Sequence, residues 1–521
     1  MSRIVIAASL GTVFEYYDFM LYGSLATFFG SLFFPPGNST AALLGSLATF
    51  GAGFAVRPLG ALLFGRLGDR AGRKQTFLIT ITLMGLATAS IGLLPTFAQV
   101  GWWAPVLLVT LRLVQGLALG GEFGGAALYI AEHCPTERRG YYTSWIQTTG
   151  TMGLVASLTV IVSARAVLDE QSFVEWGWRI PFLGSVLLLG VSLYVRSRLK
   201  ESPLFVAAKA CGELSAAPIA ESFVRRENRP RVIIALVVSA AMALTWYTAQ
   251  FYSLVFMQTA LQLDFTTSAI LGGVAMTLGI PLFLGAGALS DRVGRRPVML
   301  AGMLVATAIV WPAYRALQSV GHPAMAQSLG SAPVIVHAAP ARFAPFSSVA
   351  PDDATRVRDL LAKRGISYRN APARDAISVS VRIGDTTLVG FDATAMRHAL
   401  AVAGYPDHPS LTLLTSPLKL TRTHLVLIAL LLALILSAAL TCGPGAAFLA
   451  ELFPTRIRYT SLSLPYHLTS AWFGGFMPLT ATWLVARSGD NLAGLVYPIT
   501  VTATCFVLSQ WLMRETRGAP L

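Results

Sequence analysis

Two acids break the apolar stretch "GTVFEYYDFMLYG" at residues 11–23. Glu15, Asp18 and Tyr22 follow i, i+3, i+7 spacing, so a helix brings them to one face. Carboxyls shielded from water suit the uptake and release of protons, and the alternative for this pair is a structural salt bridge to an arginine of a neighbouring helix. In "RLVQGLALGGEFGGA" (112–126), Arg112, Gln115 and Glu122 stand among closely spaced glycines. An arginine there can fork a carboxylate with two parallel hydrogen bonds, either a solute's or that of Glu15 or Asp18. Glu122, on or near the same face, joins Glu15 and Asp18 as a proton-coupling candidate. Arg57 in "VRPLG" and Arg179 in "WGWRIPF" are further candidates for holding solute, although Arg179 beside Trp176 and Trp178 also fits an interfacial anchor. Later in the chain, Tyr247, Gln250 and His467 offer polar and aromatic contacts, with packing as the alternative.

These groups need a scaffold that keeps water away. The chain is 54% hydrophobic and only 12% charged, against about 25% charged in soluble domains. Its mean hydropathy is +0.62, and apolar runs of bilayer-crossing length recur along it. An integral all-α membrane protein follows, with twelve helices expected at about 4–30, 42–65, 76–96, 105–131, 142–165, 179–197, 231–258, 267–289, 298–317, 423–450, 460–486 and 492–513. Alternate links carry most of the Arg and Lys, which places those links and both termini in the cytosol. The net charge of +14 is therefore read as membrane orientation, not as a nucleic-acid surface. The first apolar run has no small-residue cleavage site and is expected to be retained. Cys134, Cys211, Cys442 and Cys505 show neither metal-ligand spacing nor a disulfide framework, and no metal or cofactor is expected.

The few charges outside the spans repeat. "GRLGDRAGRK" begins at 65 and "GALSDRVGRR" at 287, 222 residues apart; "EHCPTERRG" at 132 and "ELFPTRIRY" at 451 lie 319 apart. Two six-helix pseudo-symmetric bundles explain both pairs, and the difference of roughly 97 residues measures an insertion in the second half. The polar stretch 318–422 supplies it. The expected organisation is a bundle at 1–197, a cytosolic linker at 198–230, helices seven to nine at 231–317, a periplasmic insert at 318–422 between helices nine and ten, and the last three helices at 423–521. Within the insert, "APVIVHA" suggests a strand and "AISVSVRIGDTTLVGF" a hairpin. "DDATRVRDLLAKRG" and "DATAMRHALAVAG" suggest capped helices. The insert is a small α/β domain, either an ornament on one loop or a device for capturing solute or a partner.

The duplicated decapeptides after helices two and eight resemble those of the major facilitator superfamily. "GTVFEYYDFMLYG", "VRPLGALLFGRLGDRAGRK", "RLVQGLALGGEFGGA", "EWGWRIPF" and "KESPLF" are similar to stretches of its metabolite:proton symporter family, whose members carry proline/betaine, α-ketoglutarate, citrate or shikimate. The chain departs from the common family pattern at Thr12 and Tyr16. The resemblance implies alternating access, with Asp69, Arg70, Arg73, Asp291, Arg292 and Arg295 as conformational latches. It implies a secondary transporter in a bacterial inner membrane, importing a small organic acid or zwitterion by proton symport, with a monomer as the working unit. Proton-coupled export and non-transporting solute sensing are the alternatives. An enzyme is not expected, because no credible catalytic set is present, and neither a P-loop nor a nucleic-acid partner is indicated.

Overall fold

A computed structural model describes residues 2–36, 38–71, 73–121, 123–197, 218–223, 225–338, 352–372, 379–406, 421–454 and 457–519. Inside a bilayer no water satisfies the backbone, so the apolar runs become helices. Among the described residues eight are long and apolar enough to cross: Ser39–Phe64, Trp103–His133, Thr136–Val167, Arg229–Thr259, Phe265–Val293, Arg295–Gly321, Arg422–Leu452 and Ala493–Leu512. The pair Glu170–Gly177 and Arg179–Tyr194, bent by 54°, makes a ninth if taken as one span. Shorter or interrupted helices fill the intervals. Ser2–Ser24 is followed after a break at Leu25 by Ala26–Phe33. Arg73–Gly92 stands alone, and Arg458–Thr469 is joined to Met477–Ser488 by a wide π-helical turn at Ser470–Gly475. A second wide turn, Tyr247–Tyr252, interrupts Arg229–Thr259.

The helices up to residue 197 pack on one another. Ser2–Ser24 lies along Arg139–Val167, Arg73–Gly92 along Arg179–Ser197, and the 39–71 segments along Trp103–Gly120. The glycines of the last pair do the work, since a Cβ on Gly116 would overlap the Gly53 carbonyl and one on Gly120 the Arg57 carbonyl. After residue 229 a second group forms: Arg295–Gly321 lies along Arg422–Cys442, and Arg229–Trp246 along Val496–Leu512. Two lines of contact join the groups. At one, Arg139–Val167 crosses Phe265–Val293 so closely that a Cβ on Gly140 would stand 2.5 Å from the Gly287 carbonyl oxygen, and one on Gly287 equally close to the Gly140 oxygen. At the other, Ser39–Ala55 runs along Ser470–Gly475, and the Phe50 ring stacks on Phe251 with centroids 4.7 Å apart.

Between Arg295–Gly321 and Arg422–Cys442 the chain leaves the bundle. Four strands, β1 (Val334–His337), β2 (Tyr368–Ala371), β3 (Ser380–Ile383) and β4 (Thr386–Val389), form one sheet of order β2-β1-β3-β4. β1 pairs parallel with β2 and antiparallel with β3, and β3 pairs antiparallel with β4. The parallel pair requires a crossover, supplied by helix Asp353–Lys363, whose N-cap Asp352 accepts from the Thr355 N–H at 2.9 Å. Helix Ala393–Val402 is capped by Asp392. Val334, Val336, Val357, Leu361, Val381, Met396 and Leu400 bury a core of their own. Ile377, expected to start the hairpin, lies outside the described residues, as does Cys211.

Candidate functional site

Where the two groups of helices meet, a cavity is lined by residues of both, its empty space of about 470 Å³ including open solvent. Tyr16, Arg57, Gln147 and Gly150 reach it from the first group, and Trp246, Tyr247, Cys442, Tyr466 and Ser470 from the second. Local structure explains each wall. The helix carrying Tyr16 lies against Gly153, where a Cβ would stand 2.5 Å from the Tyr16 Cβ. Tyr247 and Ser470 open the two wide turns, which widen the backbone beside the space. Arg57 starts a new helix after the break at Val56.

Arg57 is the charge in this cavity. It is 2% exposed, and its Nε and Nη2 have no hydrogen-bond partner among the described residues. Its guanidinium lies 3.6 Å from the centroid of Phe54 and 4.4 Å from that of Phe19. The phenols of Tyr247, Tyr16 and Tyr466 lie alongside it, that of Tyr247 within hydrogen-bonding reach, and no carboxylate does so among the described residues. A cation–π contact returns about 2 kcal/mol when desolvated, less than the several kcal/mol that burying a cation costs. The site therefore presents unmet donors to an anion.

The other sequence candidates are distributed differently. Glu15 and Asp18 are buried, and Asp18 Oδ1 has no hydrogen-bond partner among the described residues. Arg112, fully buried, donates from Nη1 to the Phe19 carbonyl at 3.2 Å and to Gln115 Oε1 at 2.7 Å, and lies 4.0 Å from the Phe19 ring centroid and 4.6 Å from that of Tyr22. Gln115 Nε2 in turn donates to Thr88 Oγ1 at 2.7 Å, and the Tyr22 hydroxyl to the Ser46 carbonyl at 3.0 Å. This network lies within the first group, behind the Phe19 ring that it shares with Arg57. Arg179 donates to the carbonyls of Gly92 and Leu94, at 2.9 and 2.7 Å, and ties two helix ends together away from the cavity. Gln250 is buried with both amide atoms unpartnered among the described residues, and His467 is buried beside the Tyr466 ring; neither lines the cavity. Glu122 and the side chains of Asp69, Arg70 and Arg73 lie outside the described residues.

The second decapeptide forms a cluster at one mouth of the bundle. Asp291 accepts from the N–H groups of Gly140 and Tyr141, each at 2.8 Å, and so caps a helix of the other group. Arg295 donates to Asp291 at 2.6 Å and to Glu451 at 3.1 Å, while Arg139 donates to the same Glu451 oxygen at 2.9 Å. Thr516 Oγ1 donates to the other Glu451 oxygen at 2.8 Å. Arg292 contributes its carbonyl, which accepts from Arg517. Glu451 and Arg139 were not candidates from sequence, although both stand in the duplicated E-x-x-P-T-x-x-R motif. The copies cross-pair, since Arg458, the counterpart of Arg139, lies within electrostatic reach of Glu132, the counterpart of Glu451. Tyr16, Gln147 and Ser470 were also missed; only Tyr16 had a signal, its departure from the family pattern.

Comparison with known proteins follows the same line. A family model described as "Sugar (and other) transporter" matches residues 4–221. The shikimate transporter of Escherichia coli (strain K12) is 38% identical over 322 residues, 61% of this chain and 73% of that protein. The proline/betaine transporter of Salmonella typhimurium is 34% identical over 61% of this chain and 65% of its own length. An inner membrane metabolite transport protein of Escherichia coli (strain K12) is 30% identical over all of this chain and 96% of itself. Among solved structures, the xylose transporter XylE of E. coli, in a partially occluded inward-open conformation, has the same fold, with a TM-score of 0.61, 16% identity and 99% of both chains covered.

Proposed function

The chain belongs to the major facilitator superfamily, in its metabolite:proton symporter family, and from that premise we propose that it imports a small organic acid or zwitterion by proton symport. Members of this superfamily are transporters of small metabolites and not enzymes. In our reading, twelve spans form two six-helix bundles that rock about the cavity around Arg57. The cross-pairing of Arg139 with Glu451 and of Arg458 with Glu132 supports the pseudo-twofold relation, because one contact is the other with the halves exchanged. The inner-membrane setting follows from the bacterial relatives. Cytosolic termini, a periplasmic insert and a monomeric unit are our assignments.

The observation that carries the substrate class is Arg57, a buried cation facing a cavity with donors unmet. A solute carboxylate supplies the missing partner, and Tyr16, Tyr247 and Tyr466 supply hydroxyls for its remaining polar atoms. Arg57 also links the two halves, since it stands on the first bundle and faces Tyr247 and Tyr466 of the second. An anion bound there favours closure, by no more than its difference in affinity between the two states. Asp18 is our proton carrier: a carboxyl that takes a proton on one side of the membrane and needs no counter-ion while buried. Glu15 and Glu122 complete the acidic set. Arg112, Gln115 and Tyr22 position Phe19 and Arg57 from behind, whereas Gln250 and His467 await a state in which the second bundle turns.

The test is uptake into right-side-out vesicles under an imposed proton gradient, with radiolabelled shikimate, proline, betaine, citrate and α-ketoglutarate. Accumulation of one of them that collapses with a protonophore is expected. Accumulation indifferent to the gradient removes symport, and saturable binding without accumulation removes transport of that solute.

A further inference from the structure

The insert touches both halves of the carrier, at the end opposite the Asp291 cluster. Helix Phe265–Val293 separates the two ends: 29 residues, about 43 Å, lie between its start and its last turn, which holds Asp291. Just before that start, the 259–260 backbone receives Gly365 of the insert, whose φ is +65° and where a Cβ would stand 2.7 Å from the Ala260 carbonyl oxygen. Further bonds root the insert on the second bundle. The Tyr368 N–H donates to the Gly489 carbonyl at 2.8 Å, Asn491 Nδ2 to the Gly365 carbonyl at 2.7 Å, and Asn370 Nδ2 to the carbonyls of Arg487 and Ser488 at 3.1 Å.

One side chain reaches the other way. Asp359, on helix Asp353–Lys363, accepts at Oδ1 from Ser39 Oγ at 2.6 Å, from the Thr40 N–H at 3.0 Å and from Thr40 Oγ1 at 3.1 Å. Those groups open helix Ser39–Ala55 of the first bundle, so the carboxylate also meets the positive end of that helix. Lys363 Nζ holds the second oxygen at 3.0 Å.

We propose that the insert is a latch on this mouth: it rides with the second bundle and clasps the first through Asp359, so that the contact exists only while the mouth is closed. Both duplicated halves then close against a carboxylate at a helix start, Asp291 at one mouth and Asp359 at the other. The second of these was added by insertion rather than by the duplication. The inference rests on the alternating-access reading above.

Native Cys442, on the cavity wall, is the reporter. With Cys134, Cys211 and Cys505 changed to serine, the full chain in proteoliposomes is treated with a membrane-impermeant maleimide from the insert's side. Asp359→Asn is expected to label Cys442 at least fivefold faster, and Ser39→Ala with Thr40→Ala to do the same. The combined variant is expected to be no faster than Asp359→Asn alone, because one contact is being removed. The Ser39→Ala, Thr40→Ala pair carries the test if the Asp359 variant fails to assemble, and Ser470→Cys serves as a second reporter. A parental labelling rate in Asp359→Asn overturns the latch, as do rates that multiply in the combined variant. Absence of labelling from either face, in every variant and with both reporters, overturns alternating access at this cavity and the latch with it.

Discussion

Asp291→Asn isolates the mouth formed by the second decapeptide. The carboxylate accepts two backbone N–H groups of the opposite bundle, from Gly140 and Tyr141, plus Arg295 at the start of the next helix of its own bundle. Hydrogen bonds to a charged acceptor contribute about 1.5–3 kcal/mol each, and an asparagine can accept only one of the two backbone donors while turning its NH2 toward the other. The Arg295 bond lies within one bundle, between successive helices, and does not report on opening. Losing one cross-bundle bond and weakening the second therefore removes about 2 kcal/mol from the closed state, which is roughly a 30-fold shift toward opening at this end. Spin labels on cysteines replacing Arg138 and Val293, both exposed and on opposite bundles, read the separation in a background without other cysteines. The distance distribution is expected to pass from mostly short to mostly long. An unchanged distribution in a folded Asp291→Asn protein refutes the claim that this carboxylate holds the halves together.

Arg57→Met is expected to abolish uptake of an acidic solute while the protein still folds, because the buried cation is a cost that bound anion offsets; full uptake by this variant excludes Arg57 as the anion site. Gly140→Ala places a methyl 2.5 Å from the Gly287 carbonyl oxygen, so it should open the same mouth as Asp291→Asn in the spin-label experiment. Removing 325–415 and closing with a flexible linker should leave a folded carrier whose Cys442 labels quickly from the insert's side, whereas loss of assembly makes the insert structural. His322 caps helix Pro323–Ser331 by accepting the Met325 N–H on Nδ1, and burial holds its imidazole below the usual value of 6.5. A folded value below the unfolded one means that its contribution is present above about pH 6.5 and fades as the pH falls through the folded value. Hydrogen exchange at 323–331 should therefore quicken in acid, and His322→Asn, which caps without titrating, should flatten that dependence.

The long apolar helices among the described residues were legible because burial in lipid demands long apolar runs, and the β3–β4 hairpin because the period there changes from helical to alternating. Arg57 and Tyr247, selected from sequence, do line the cavity, since a lone arginine or a polar aromatic in a span has few places to go. Tyr16, Gln147 and Ser470 were not selected. They are neutral, and nothing in a sequence separates a polar residue facing a void from one facing a neighbour. Arg112 and Gln115 looked like solute ligands, yet their i, i+3 spacing lets them bond each other, and the Phe19 carbonyl takes a second donor. Glu451 and Arg139 were visible as repeat markers, but their partners are across the bundle interface, 312 residues apart in the chain. Asp359 reads as the solvated side of a short helix until the start of Ser39–Ala55 is brought against it.

The crossing of Gly140 over Gly287 restricts how this protein can evolve. Most tight contacts tolerate change because a larger residue on one side is relieved by a smaller one on the other. Here both partners already carry the smallest side group that exists, and each faces the other's main-chain oxygen, which no substitution can trim, beside the side chains of Arg295 and Ser290 at Gly140 and of Ser144 at Gly287. No compensating replacement at the partner position is available, so drift at either site has to be repaired by moving a whole helix or reversed outright.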